Sequence, residues 1–155
     1  MIDKYRPDTL YRAPRGEISP FKFDEQVADV FPDMIQRSVP GYEATLSVIS
    51  AVTAEYAQPR SRLYDLGCSL GAATLAMRHA VSGNDCEIIA VDNSVAMVRR
   101  CRKLMAREGG VPVSVLEQDI LETVMENASV VIMNYTLQFI PAEQRADLLS
   151  RIHAG

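Results

Sequence analysis

Arg62-Leu63-Tyr64-Asp65-Leu66-Gly67-Cys68-Ser69-Leu70-Gly71-Ala72-Ala73-Thr74-Leu75 is the stretch that decides the fold. Its start reads as a strand over 62–66, its glycines as a tight turn, and the continuation over 72–80 as a helix. The same alternation repeats outward. Residues 86–91 read as a strand and 95–107 as a helix closed by Gly109-Gly110; 111–116 and 128–133 read as strands, and 142–152 as a helix after Pro141. Ile88-Ile89-Ala90-Val91 and Val130-Val131-Ile132-Met133 run apolar without alternation, as strands do when helices cover both faces of a parallel sheet. The expected fold is α/β: an open, mostly parallel sheet in a three-layer, Rossmann-like arrangement.

Upstream, prolines at 7, 14 and 20 and no sustained apolar period predict an irregular arm over 1–23. A helical segment follows over 24–59, before the α/β unit at 60–155. Asp24 is placed to cap a short helix presenting Val27 and Phe31, and Pro32 to open the next short turn at its first position. Pro40-Gly41 breaks the chain. A longer helix then runs to about Gln58, with Leu46, Ile49, Val52 and Tyr56 at helical spacing, and Pro59 closes it.

With 155 residues, 48% hydrophobic and 23% charged, the chain has the makings of one cored domain rather than a disordered or fibrous one. The net charge is -4, and neither sign gathers into a stripe able to grip a phosphate backbone, so direct nucleic-acid binding is not expected. The longest apolar runs are four residues, far below the roughly 20 that cross a bilayer. Cysteines at 68, 86 and 101 lack metal-ligand spacing; with no apolar leader, a reducing cytoplasm is the expected location and no metal is expected.

The turn at 65–71 is where function is expected. Gly67 allows tight backbone geometry, Gly71 allows a close helix approach, and the loop amides face the carboxyl ends of the strands. Asp65 suits a ligand bearing an ammonium or sulfonium better than a pyrophosphate, because two negative groups would repel. Asp92, 27 residues further on, can accept from both ribose hydroxyls of a nucleoside. Asp119 can accept from an adenine amino group while Ile120 covers the ring, and Asn134, neutral, can position the other end of the ligand without acting as an efficient base. Four strand ends thus converge on one rim. His79 and His153 read as surface or structural histidines, and Cys68 as a lining residue, although a helix N-terminus can lower a thiol pKa.

The strings at 65–75 and Asp92-Asn93-Ser94-Val95-Ala96-Met97 resemble the S-adenosylmethionine-binding methyltransferase fold. Phe31-Pro32-Asp33-Met34-Ile35-Gln36-Arg37-Ser38-Val39-Pro40-Gly41-Tyr42 and Asn134-Tyr135-Thr136-Leu137-Gln138-Phe139 resemble, more narrowly, the carboxy-S-adenosyl-L-methionine synthase family of bacterial wobble-uridine modification. Ser69, in place of a second loop glycine, is similar to that subfamily. The resemblance implies that S-adenosylmethionine and prephenate are converted to carboxy-S-adenosylmethionine, phenylpyruvate and water, and that a separate enzyme then uses the product on tRNA. It also implies that Tyr42 contacts the cofactor. Gly67-Cys68-Ser69 would carry its amino acid end, Asp92-Asn93 its ribose, Asp119-Ile120 its adenine and Asn134 a nearby polar group. The family continues past Gly155 into an arginine-bearing segment expected to hold a carboxylate. The expectation for these 155 residues is cofactor contact without turnover, with a homodimer covering the edge strand at 128–133. An ordinary S-adenosylmethionine-dependent methyltransferase and a non-catalytic cofactor-binding fragment are the competing readings. A nicotinamide dehydrogenase lacks its GxGxxG motif here.

Overall fold

The computed structural model describes residues 7–8 and 23–155. The arm expected over 1–23 falls almost entirely outside them. Two helices lead, α1 (Glu25–Ser38) and α2 (Tyr42–Tyr56). The alternating unit follows as β1 (Arg62–Leu66), α3 (Ala72–Ala80), β2 (Glu87–Asp92), α4 (Val95–Arg107), β3 (Val113–Glu117), β4 (Ala128–Ile132) and α5 (Ala142–Ala154). A short 3-10 turn at Leu137–Phe139 precedes α5. All strand pairs are parallel, in the order β3-β2-β1-β4. Because β2 and β3 extend the sheet to one side of β1 and β4 returns to the other, the topology reverses beside β1. That is where open α/β sheets form a ligand crevice.

Alternating residues of the strands enter different cores. Leu63, Ile88 and Val130 pack with Ile49 of α2 and with Ala73, Met77 and Val81 around α3. On the opposite face Tyr64, Leu66 and Val91 meet Ile120, Met125, Ile140 and Leu148 of α5. Ala90 and Val115 lie under Val98, Cys101 and Met105 of α4. Each fully buried aliphatic side chain adds about 1.5–3 kcal/mol, so this two-faced burial is what forces helices onto both sides of the sheet.

Two readings of the helical segment need correction. Pro32 does not open a new turn: α1 runs through it as one 14-residue helix. A proline there removes the amide that would bond to the carbonyl four residues earlier, that of Ala28. The Ala28 carbonyl instead accepts from Arg100 Nη1 on α4 at 3.1 Å, so a tertiary contact replaces the lost helical one. In α2 the buried face carries Ile49 and Thr53, with Leu46 against it, while Val52 and Tyr56 turn outward at 38% and 61% exposure. The periodicity identified the helix and misassigned half of its inner face. As expected, Asp24 caps α1, accepting from the Val27 amide at 3.0 Å. No helix among the described residues is long and apolar enough to cross a membrane.

Candidate functional site

The β1–α3 turn is shaped by its glycines. Gly67 has φ +85, and a Cβ there would collide with the Thr136 side chain, so the loop at 67–69 and the segment after β4 approach as closely as backbone permits. Gly71, also left-handed, brings α3 against α4: a Cβ would lie 2.8 Å from Cys101 Sγ. The loop amides do not point into open space. Those of Gly67 and Cys68 donate to the Val91 carbonyl at 2.8 and 2.9 Å, and that of Ser69 donates to Asp92 Oδ2 at 2.9 Å. With these donors consumed, the loop is no cradle for a phosphate.

Asp92 closes β2 and is held from both sides, since Oδ1 also accepts from the Ser94 amide at 2.9 Å. Burial raises its pKa against the lowering effect of those two bonds. It does not serve as the cap of α4; Ser94 does, accepting from Met97 N. Asp65 is placed differently from expectation. It is 1% exposed, does not line the cavity and accepts from Thr74 Oγ1 at 2.5 Å. The Thr74 amide bonds to it as well, so Asp65 is taken up by the first turn of α3, where a negative group is favoured. Burial, with a smaller contribution from Asp92, pushes it up to about 6.

A cavity of about 520 Å³ opens outside the carboxyl ends of the strands. Tyr42, Gly67, Cys68, Ser69, Asp92, Asn93, Asp119, Ile120 and Asn134 all line it. Asp65 and Gly71 do not; both shape it from behind. Asp119 is exposed, with Oδ1 accepting from Leu121 N at 2.8 Å, whereas Ile120 is buried. The Cys68 thiol is pushed up, not down, by the neighbouring Cys101, by burial and by Asp65, against a role as nucleophile. His79 and His153 are exposed and lie outside the cavity. Among the described residues no group of His, Cys, Asp and Glu could hold a metal ion.

The opposite wall comes from residues sequence reasoning did not assign to the site. Phe31, Met34, Ile35 and Val39 of the helical segment line it, as do Thr136, Gln138 and Phe139 after β4. Phe23 meets both Phe31 and Phe139 edge-to-face, with ring centroids 5.9 and 5.6 Å apart. Tyr135 stacks on Tyr42 at 6.4 Å and 30°. It also adopts φ +57, a conformation costing a bulky residue on the order of 1–3 kcal/mol. The available signal was the aromatic and polar run at 134–139 ahead of Pro141, of which only Asn134 was assigned.

Residues 63–154 match the model of a family described as a methyltransferase domain. The chain belongs to that methyltransferase-domain family. Among curated relatives, the carboxy-S-adenosyl-L-methionine synthase of Geobacter sp. (strain M21) is 59% identical over 152 residues, covering 97% of this chain and 62% of that protein. The synthase of the same name from Vibrio campbellii is 53% identical over 156 residues, covering 100% of this chain and 64% of that protein. The chain therefore spans less than two thirds of the length of these relatives. Two solved structures share the fold. Magnesium protoporphyrin IX methyltransferase from Synechocystis PCC 6803, solved with bound SAM, gives a TM-score of 0.60 at 18% identity over 89% of this chain and 61% of its own. A cyclopropane synthase from Mycobacterium tuberculosis gives 0.59 at 20% identity over 77% of this chain and 41% of its own. The three-layer α/β class read from the sequence is the class these folds share.

Proposed function

We propose that the chain is the nucleoside-binding part of a carboxy-S-adenosyl-L-methionine synthase. The observation that carries this is 53–59% identity to synthases of that name across 97–100% of the chain. The cavity supports the cofactor reading independently. Its described lining holds the carboxylates of Asp92 and Asp119 and no lysine, arginine or histidine, a charge balance that favours a cationic nucleoside over a pyrophosphate. In this reading Asp92 and Asn93 hold the ribose, Asp119 and Ile120 the adenine, and Gly67 to Ser69 with Asn134 the amino acid end. Tyr42 closes the wall beside it.

When bound, the sulfonium nucleoside would supply a methyl group acidic enough to lose a proton and then bond the carbon dioxide lost from prephenate, the proton leaving as water with the hydroxide that prephenate expels. The chain's own residues orient that methyl and exclude water from it, the apolar wall of Phe31, Met34 and Ile35 serving the second task. Prephenate carries two carboxylates, and no cation among the described lining residues faces them. The arginine-bearing segment implied by the family resemblance is the proposed partner for one of them. Further use of the product on tRNA wobble uridine belongs to a separate enzyme, so this chain makes no direct nucleic-acid contact in the proposed scheme.

The test is incubation with S-adenosylmethionine and prephenate, with mass analysis of the nucleoside and a full-length relative as control. Retention of the nucleoside by the chain, with carboxylated product made by the relative and far less by the chain, is the expected result. A methylated acceptor formed without prephenate would move the reading to an ordinary methyltransferase.

A further inference from the structure

A sulfonium is an awkward ligand for hydrogen-bonding side chains, because the charged sulfur carries three carbons and no N–H or O–H. Its charge must be met by a field rather than by a directed bond. The two carboxylates that line the cavity supply part of that field from fixed positions. Asp92 is clamped by the Ser69 and Ser94 amides and Asp119 accepts from Leu121 N, while Asp65, behind the cavity, is sealed against Thr74. Aromatic faces are a second source of negative potential, and a cation within about 6 Å of a ring centroid gains from it.

Tyr135 is placed for this in a way that packing does not explain. Among the described residues four that are not glycine have left-handed backbones, Arg60, Ser69, Asn127 and Tyr135, and of these only Ser69 and Tyr135 line the cavity. The Tyr135 side chain is not in the core; the residue is 41% exposed. It is nonetheless held from three directions. Its hydroxyl lies 3.4 Å from Thr45 Oγ1, its carbonyl accepts from Gln138 Nε2 at 3.0 Å, and its ring stacks on Tyr42. Tyr135 follows β4, with its neighbour Thr136 packed on Gly67 of the β1 loop, and Tyr42 opens α2; both line the cavity into which the sulfur must project if the loop carries the amino acid end and Asp92 the ribose.

We infer that Tyr42 and Tyr135 form an aromatic recognition face for the charged sulfur, and that Tyr135 sets the preference of this site for a sulfonium nucleoside over its neutral thioether. The inference rests on the nucleoside reading of the cavity proposed above. Its consequence is specific: the ring at 135 matters for S-adenosylmethionine and hardly at all for S-adenosylhomocysteine, which lacks the methyl group and the charge.

The experiment is calorimetric titration of the 155-residue chain and its variants with both nucleosides. Y135G removes the ring at a backbone angle that glycine adopts freely, so the fold is retained, as circular dichroism will report. It should weaken S-adenosylmethionine by about three- to tenfold while changing S-adenosylhomocysteine by less than about twofold. Y135F keeps the face and should keep the wild-type ratio of the two affinities. Y42L, read by the same ratio, replaces Y135G if that variant does not fold. Equal weakening of both nucleosides, or no change in their ratio, would overturn the aromatic role and leave the nucleoside site standing. Binding of neither nucleoside by the wild-type chain would remove both together.

Discussion

Arg100 on α4 donates from Nη1 to the carbonyl of Ala28 on α1 at 3.1 Å, the carbonyl that Pro32 deprives of its helical partner. The same guanidinium pairs with Asp29 and reaches Glu25, so a proline inside a helix has become the docking point of α1 on α4. Since Phe31, Met34 and Ile35 of α1 line the cavity, this contact also fixes one wall of the site.

R100M should therefore destabilise the chain by about 1–3 kcal/mol, the range for a polar group left without its partner. In a P32A background the new amide at 32 can take the Ala28 carbonyl, and R100M should cost about 1 kcal/mol less. Urea denaturation of the four chains checks this; equal costs in both backgrounds would dissociate Arg100 from Pro32.

Asp65 predicts a pH dependence. Its folded pKa, about 6, lies above the ordinary value of 3.8. A carboxyl raised on folding favours the native state when protonated, so its contribution is complete below the unfolded pKa, declines as pH rises, and is gone above about 6. The span corresponds to at most about 3 kcal/mol between pH 3.5 and 7, taking 1.36 kcal/mol per pH unit. Stability measured by denaturant across that range should fall with rising pH more steeply in the wild type than in D65N, whose side chain can still accept from Thr74. Parallel profiles would contradict the buried, raised carboxyl.

Gly67→Ala should abolish nucleoside binding at micromolar ligand and lower Tm, because it sets a Cβ into Thr136 and opposes φ +85. Pairing it with T136G removes the collision but not the backbone strain, so binding should return only in part. Titration of S-adenosylhomocysteine against both variants checks the order of the two effects.

Much of this arrangement was legible in the sequence because burial patterns and turn residues carried it. The unbroken apolar runs at 88–91 and 130–133 announced a sheet covered on both faces, and β1, α3 and α4 run over the residues that their glycines and apolar periods predict. The strand-end rim was legible because topology alone brings Asp92, Asp119 and Asn134 to one edge. What could not be read depends on contacts distant in sequence. Pro32 looks like a helix start until Arg100, 68 residues on, is seen to hold Ala28. Asp65 looks like a ligand-facing carboxylate until α3 folds its first turn onto it. Val52 and Tyr56 fit the apolar period of α2 yet face outward, since Thr53 takes the inner position. Tyr135 went unassigned because nothing local signals a left-handed tyrosine.

Asp92 gives the sharpest residue-level test of the ribose assignment. D92A removes the acceptor that holds the Ser69 and Ser94 amides as well as any bond to the ligand. Nucleoside affinity should drop about 10- to 100-fold, as expected for losing one or two charge-assisted bonds of about 1.5–3 kcal/mol each in partial compensation with water. D92N, compared on S-adenosylhomocysteine and its 2′-deoxy analogue, isolates the ribose term: its penalty should shrink on the analogue. An undiminished penalty would assign Asp92 to loop support alone.

The proposed occupant of the cavity at the carboxyl ends of β1, β2, β3 and β4 is an S-adenosyl nucleoside. Calorimetric titration of the purified 155-residue chain with S-adenosylhomocysteine tests it most directly. Saturable one-to-one binding that D92A weakens at least about tenfold is expected. Absence of binding at millimolar ligand by a chain that is folded by circular dichroism, or binding indifferent to D92A, would contradict it.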